Sequence, residues 1–93
     1  MNFYELPDEI KELIPAYLEN RFKEHQLLCE LLTNGNIEEI NRIGHKLAGN
    51  AGSYGLNDLG KIGEQLEIAS LKDDLNHLLM DYIKLIQSYQ KSL

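Results

Sequence analysis

Residues 42–52 read RIGHKLAGNAG and set one histidine, His45, between Gly44 and Gly49, with Gly52 close behind. Histidine's ordinary pKa of about 6.5 leaves a neutral, nucleophilic imidazole at near-neutral pH. Each glycine in a helix interior costs about 0.5–1 kcal/mol relative to alanine, so three in a segment that otherwise reads as helix need a reason beyond helix formation. A nucleophile that another protein's active site must reach is such a reason, because a bulky neighbour would block its approach.

At about 100° per residue, Ile40, Ile43, Gly44, Leu47, Ala48, Ala51 and Tyr54 share one apolar face. His45 lies about 130° from the centre of that face, on the side of Glu38, Arg42, Gly49 and Gly52. The imidazole is therefore expected to face outward from a bare helix surface cleared by Gly49 and Gly52. Gly44 falls inside the apolar face, where a glycine lets a neighbouring helix come close.

Elsewhere apolar residues recur at three- and four-residue spacing, without period-two β-branched runs, which makes the chain all-α. Leu6-Pro7-Asp8-Glu9 reads as a helix start, and Pro15 ends, kinks or restarts that short helix. A long helix is expected over 16–33, closed by Asn34-Gly35, and Asn36 opens the next as half of a capping box with Glu39. That helix ends near Ser53-Tyr54-Gly55. Asn57-Asp58 caps a third, with Leu59, Ile62, Leu66 and Ala69 on its seam, and Lys72-Asp73-Asp74 makes the next break. The last helix turns Leu75, Leu78, Leu79, Tyr82, Ile86 and Tyr89 inward. The expected architecture is an antiparallel up-down-up-down four-helix bundle with a short N-terminal helix, one domain over residues 1–93.

Composition narrows the partners. A net charge of −6 and a pI near 4.9 argue against nucleic acid and anionic membrane, which are bound through basic stripes. No segment approaches 18 consecutive apolar residues and no basic n-region opens the chain, so a cytoplasmic protein is expected. Cys29, the single cysteine, permits no intramolecular disulfide and is expected in the core beside Leu18, Phe22 and Leu32. His25 should be a half-buried packing residue and His77 solvated. Tyr17, Tyr82 and Tyr89 should pack at the seams.

HKLAGNAGSYG, from His45 to Gly55, closely resembles the phosphorylation motif of histidine-containing phosphotransfer (HPt) domains. That motif has the accepting histidine, an apolar residue two positions later, and glycines at the fourth and tenth positions after it. These are His45, Leu47, Gly49 and Gly55. The likeness continues through LNDLGKIGEQLE, where Leu56, Leu59, Ile62, Gly63, Leu66 and Glu67 stand where the family places its leucines, a small residue and a terminal acid. One departure is Ala48, where many members carry lysine; Lys46 follows the histidine instead.

The resemblance implies a phosphorelay carrier that accepts a phosphoryl group on His45 from a receiver domain's aspartyl phosphate and passes it to another aspartate or back. The partners implied are a response-regulator receiver and an upstream hybrid histidine kinase. Arg42 and Lys46 are the candidate cations for the phosphoryl group. No carboxylate pair brackets His45, so no metal or other cofactor of its own is expected, and Mg²⁺ would come with the receiver. Nothing resembles a phosphate-cradling loop, so no ATP binding or autokinase activity is expected. A bundle that closes its own core is expected to be a monomer. The competing reading is a helical adaptor or dimerisation module that uses the glycine-lined face without chemistry.

Overall fold

In the computed structural model, residues 6–93 are described. Four helices follow in order: α1, Asp8–Thr33; α2, Ile37–Ala51, extended by a 3-10 turn over Gly52–Tyr54; α3, Asn57–Ile68; and α4, Lys72–Lys91. Each packs on the next, α1 closes on α4, and the most extensive pairing is α2 with α3. The described residues contain no strand. The core is mostly aliphatic, with Leu18, Leu28, Ile40, Leu47, Leu56, Leu59, Leu66, Leu75 and Ile86 fully shielded, and Tyr82 is buried with them.

One helix takes the place of the two expected on either side of Pro15: α1 is continuous from Asp8 and keeps the proline inside. Proline lacks the N–H that would donate to the carbonyl four residues back, at a typical cost of about 3 kcal/mol. Ile14 on one side and Tyr17 and Leu18 on the other are all buried, so packing holds the helix together across it. Cys29 is also displaced from its expected place: it is exposed, and Phe22 is 36% exposed. The buried stripe of α1 runs through Ile14, Tyr17, Leu18, Leu28 and Leu32, which puts Cys29 and Phe22 at its margin. His25 lies on that stripe, half-buried, with Nε2 donating to the Leu79 carbonyl at 2.9 Å.

The connections follow turn chemistry. Gly35 and Gly55 are the left-handed residues, each at φ 72°. In both places the following N–H reaches back to close a Schellman motif, Asn36 to the Leu31 carbonyl at 2.8 Å and Leu56 to the Ala51 carbonyl at 3.0 Å. Asn36 caps α2 by accepting from the Glu39 N–H. The α3 cap is Leu56, which leaves Asn57 and Asp58 in the first turn, and α4 already begins at Lys72, so Asp73 and Asp74 start a helix rather than break one. Acids there complement the positive end of the helix dipole.

Two glycines set the α2–α3 spacing. A Cβ on Gly44 would sit 2.7 Å from the Glu67 nitrogen, 2.7 Å from the Leu66 Cβ and 2.8 Å from the Gly63 carbonyl, and one on Gly63 would sit 2.9 Å from the Gly44 carbonyl. Gly44 thus has the packing role its position in the apolar face predicts, and Gly63 is its counterpart. Where backbone meets backbone, no flexible side chain can give way. Gly44→Ala and Gly63→Ala should each destabilise the fold by about 1–3 kcal/mol, read as a fall in the urea midpoint; unchanged stability would mean that the crossing is not tight.

Burial also holds the hydroxyls of Tyr17 and Tyr89 up at about 12 and pushes that of Tyr82 higher still. The unfolded chain ionises its tyrosines near about pH 10, so the folded state keeps protons that the unfolded state loses. The stabilisation is therefore complete below about pH 10 and is lost as pH rises towards about 12. Urea midpoints measured across that alkaline range should fall.

Candidate functional site

α2 turns its apolar residues inward and its other side to solvent: Ile40, Ile43, Gly44, Leu47 and Ala51 are buried, while Arg42, His45, Lys46, Gly49 and Gly52 are exposed. The His45 side chain is 74% exposed. The outward orientation expected from periodicity is the one observed.

The ring is nonetheless not free to turn. His45 Nδ1 lies 2.7 Å from Oε1 of Glu67 on α3. A carboxylate has no hydrogen to give, so the Nδ1–H is the donor, and whenever the ring is neutral its lone pair is on Nε2. The distance is that of a charge-assisted hydrogen bond. The Gly44–Gly63 crossing makes this contact possible: His45 follows Gly44, Glu67 lies one turn beyond Gly63, and the two backbones are close enough for a short side chain to span the gap. The sequence marked Glu67 only as the acid ending the motif, and its contact with His45 was not foreseen. The register between two helices decides that contact, and periodicity within either helix is silent about it.

The expected cations are placed differently from each other. The Arg42 guanidinium grips the Glu39 carboxylate in a two-pronged ion pair, with Nε donating at 2.9 Å. This pair holds the Glu39 carboxyl below the usual range and Arg42 above its own. Glu39 therefore serves half of the capping box, its N–H bonded to Asn36 while its carboxylate is taken by Arg42. Lys46 is exposed and makes no ion pair among the described residues. Ala48 is half-buried, its backbone against Gly63.

Gly49 and Gly52 contrast with Gly44. A Cβ built on either meets nothing within 4 Å, so the fold itself makes no demand for glycine there. The far end of α2 is tied to α1, where the Tyr17 hydroxyl donates to Asn50 and the Tyr17 and Tyr54 rings stack with centroids 4.1 Å apart. The bare surface is thus part of a braced helix. Among the described residues no group of three or more histidine, cysteine or acidic side chains could hold a metal ion, and no helix is long and apolar enough to cross a membrane. His77 is exposed, its Nδ1 on the Asp73 carbonyl of its own helix.

Gly49→Ala fills open space on an exposed helix and should raise stability by about 0.5–1 kcal/mol. A thermal or urea melt checks this, and a loss of stability would show that the fold does require glycine there.

Compared with known families, residues 6–90 match the family model of the Hpt domain. No curated protein and no solved structure matches the chain significantly.

Proposed function

The chain belongs to the Hpt domain family, a module of phosphorelay, two-component signalling, and from that premise we propose that His45 is its phosphoacceptor. The observation that carries this reading is the exposed His45 ring held by Glu67 through Nδ1. A receiver domain's aspartyl phosphate donates. The Nε2 lone pair attacks phosphorus, the N–P bond forms as the bond to the aspartate oxygen breaks, and the carboxylate leaves. Nε2 has no proton to lose. The ring becomes a cation as the bond forms, and the Glu67 carboxylate on Nδ1–H offsets that charge where it develops.

Lys46 is the cation for the phosphoryl group, since its flexible stem is not tied in an ion pair, and Arg42 joins it only by releasing Glu39. Gly49 and Gly52 leave room for the partner. The chain acts as a phosphocarrier in the cytoplasm, without ATP binding, as a monomer between a hybrid histidine kinase and a response-regulator receiver, and Mg²⁺ comes with the receiver. The short connections support an alternating, up-down course of the helices.

Incubation with a phosphorylated receiver should transfer label to the chain in a form lost in acid and stable in base. His45→Gln should abolish it. Glu67→Ala should slow it about tenfold or more, the worth of a hydrogen bond to a charged group. Gly49→Leu should fold and yet accept poorly. No label from any of several receivers, or a silent His45→Gln, would favour a non-catalytic adaptor and overturn the reading.

A further inference from the structure

Asn41 stands one turn before His45 on α2, and its side chain reaches α3 instead of solvent. Its Nδ2 donates to the Leu66 carbonyl at 2.6 Å and to the Ala69 carbonyl at 2.9 Å. Both carbonyls lie at the end of α3, which stops at Ile68 as Ala69 turns extended at φ −72°, ψ 137°. The last carbonyls of a helix have no intrahelical donor. A primary amide has two hydrogens on one nitrogen and can serve two such carbonyls at once.

The two carbonyls bracket Glu67. Leu66 precedes it and Ala69 follows two residues later, so the peptide carrying the His45 partner is pinned on both sides. The Gly44–Gly63 crossing fixes α3 one turn earlier, but a last turn without side-chain partners for its carbonyls is where a helix frays. Fraying there would carry the Glu67 carboxylate off Nδ1 and release the ring to its other tautomer and other rotamers.

We propose that Asn41 is a positioning residue for His45: by clamping the last turn of α3 it holds Glu67 on Nδ1 and keeps the Nε2 lone pair presented. The consequence for phosphoryl transfer rests on the reading of His45 as acceptor, whereas the consequence for the ring rests on the geometry alone.

Asn41→Ala keeps a good helix former in α2 and should leave a folded chain, checked by circular dichroism. Two measurements follow. Imidazole nitrogen chemical shifts of labelled chain, titrated with pH, should show His45 losing its preference for the Nδ1–H tautomer, as in Glu67→Ala. Acceptance from a phosphorylated receiver should slow about fivefold or more in Asn41→Ala, yet adding Asn41→Ala to Glu67→Ala should change the rate by less than about twofold. A merely structural amide would lower the melting temperature while leaving the His45 shifts intact, or its loss would multiply with that of Glu67→Ala; either result overturns the proposal. If wild type accepts no phosphoryl group but its His45 tautomer still depends on Asn41, the positioning stands and the acceptor reading fails.

Discussion

The close crossing of α2 and α3 at Gly44 and Gly63 is the contact on which the rest of the site depends. With no Cβ at either position, carbonyls and amides of one helix lie where side chains would otherwise keep the helices apart. Each glycine carries an entropic cost, and the dense backbone contact it allows offsets that cost through many small dispersion terms. The crossing also sets a register. One residue after Gly44 comes His45, one turn after Gly63 comes Glu67, and both lie on the solvent edge of the same seam. Shifting α3 by one residue would rotate Glu67 by about 100° and leave the imidazole without its partner.

The glycines around His45 illustrate what a sequence can and cannot say. Periodicity within α2 was enough to send Gly44 inward and Gly49 and Gly52 outward, and space around the built Cβ atoms bears out that division. It could not identify Gly63 as the partner of Gly44, because pairing is a property of two helices. The same limit hid the contacts of Glu67 and Asn41, polar residues whose types suit a helix surface and whose partners lie 22 and 25 residues away. Local chemistry, by contrast, was legible: helices end at Asn34-Gly35 and at Ser53-Tyr54-Gly55 as expected, and Asn36 caps α2.

Where local rules misled, a competing interaction explains the outcome. Pro15 is a helix breaker by propensity, but burial of Ile14 and Leu18 on either side outweighs it, so one long helix forms. Lys72-Asp73-Asp74 was expected to break the chain between helices, yet acids favour the first turn of a helix and α4 begins there. Cys29 fits an apolar stripe by type, but the stripe that is buried keeps Leu18 and Leu32 and extends towards Tyr17 and Leu28, which leaves Cys29 and Phe22 at its margin. Glu39 has the identity and spacing for a capping box, and Arg42, three residues on, takes its carboxylate by offering two donors in place of one backbone N–H.

A carrier must give up what it accepts, and this constrains how much help the chain can offer. In the proposed mechanism Glu67 faces the nitrogen that does not react. Its carboxylate therefore stabilises the cationic ring in the transition state and in the phosphorylated product alike, which favours arrival of the phosphoryl group and leaves its departure to be driven by the accepting partner. A strong network locked onto the phosphoryl oxygens would trap the product. The arrangement here avoids that: Arg42 is occupied by Glu39, Ala48 offers no charge, and Lys46 is a flexible point charge. On that proposed reading, the surface left open at Gly49 and Gly52 is where each partner would bring its own metal and its own aspartate, and the direction of transfer would be set by the partner that docks.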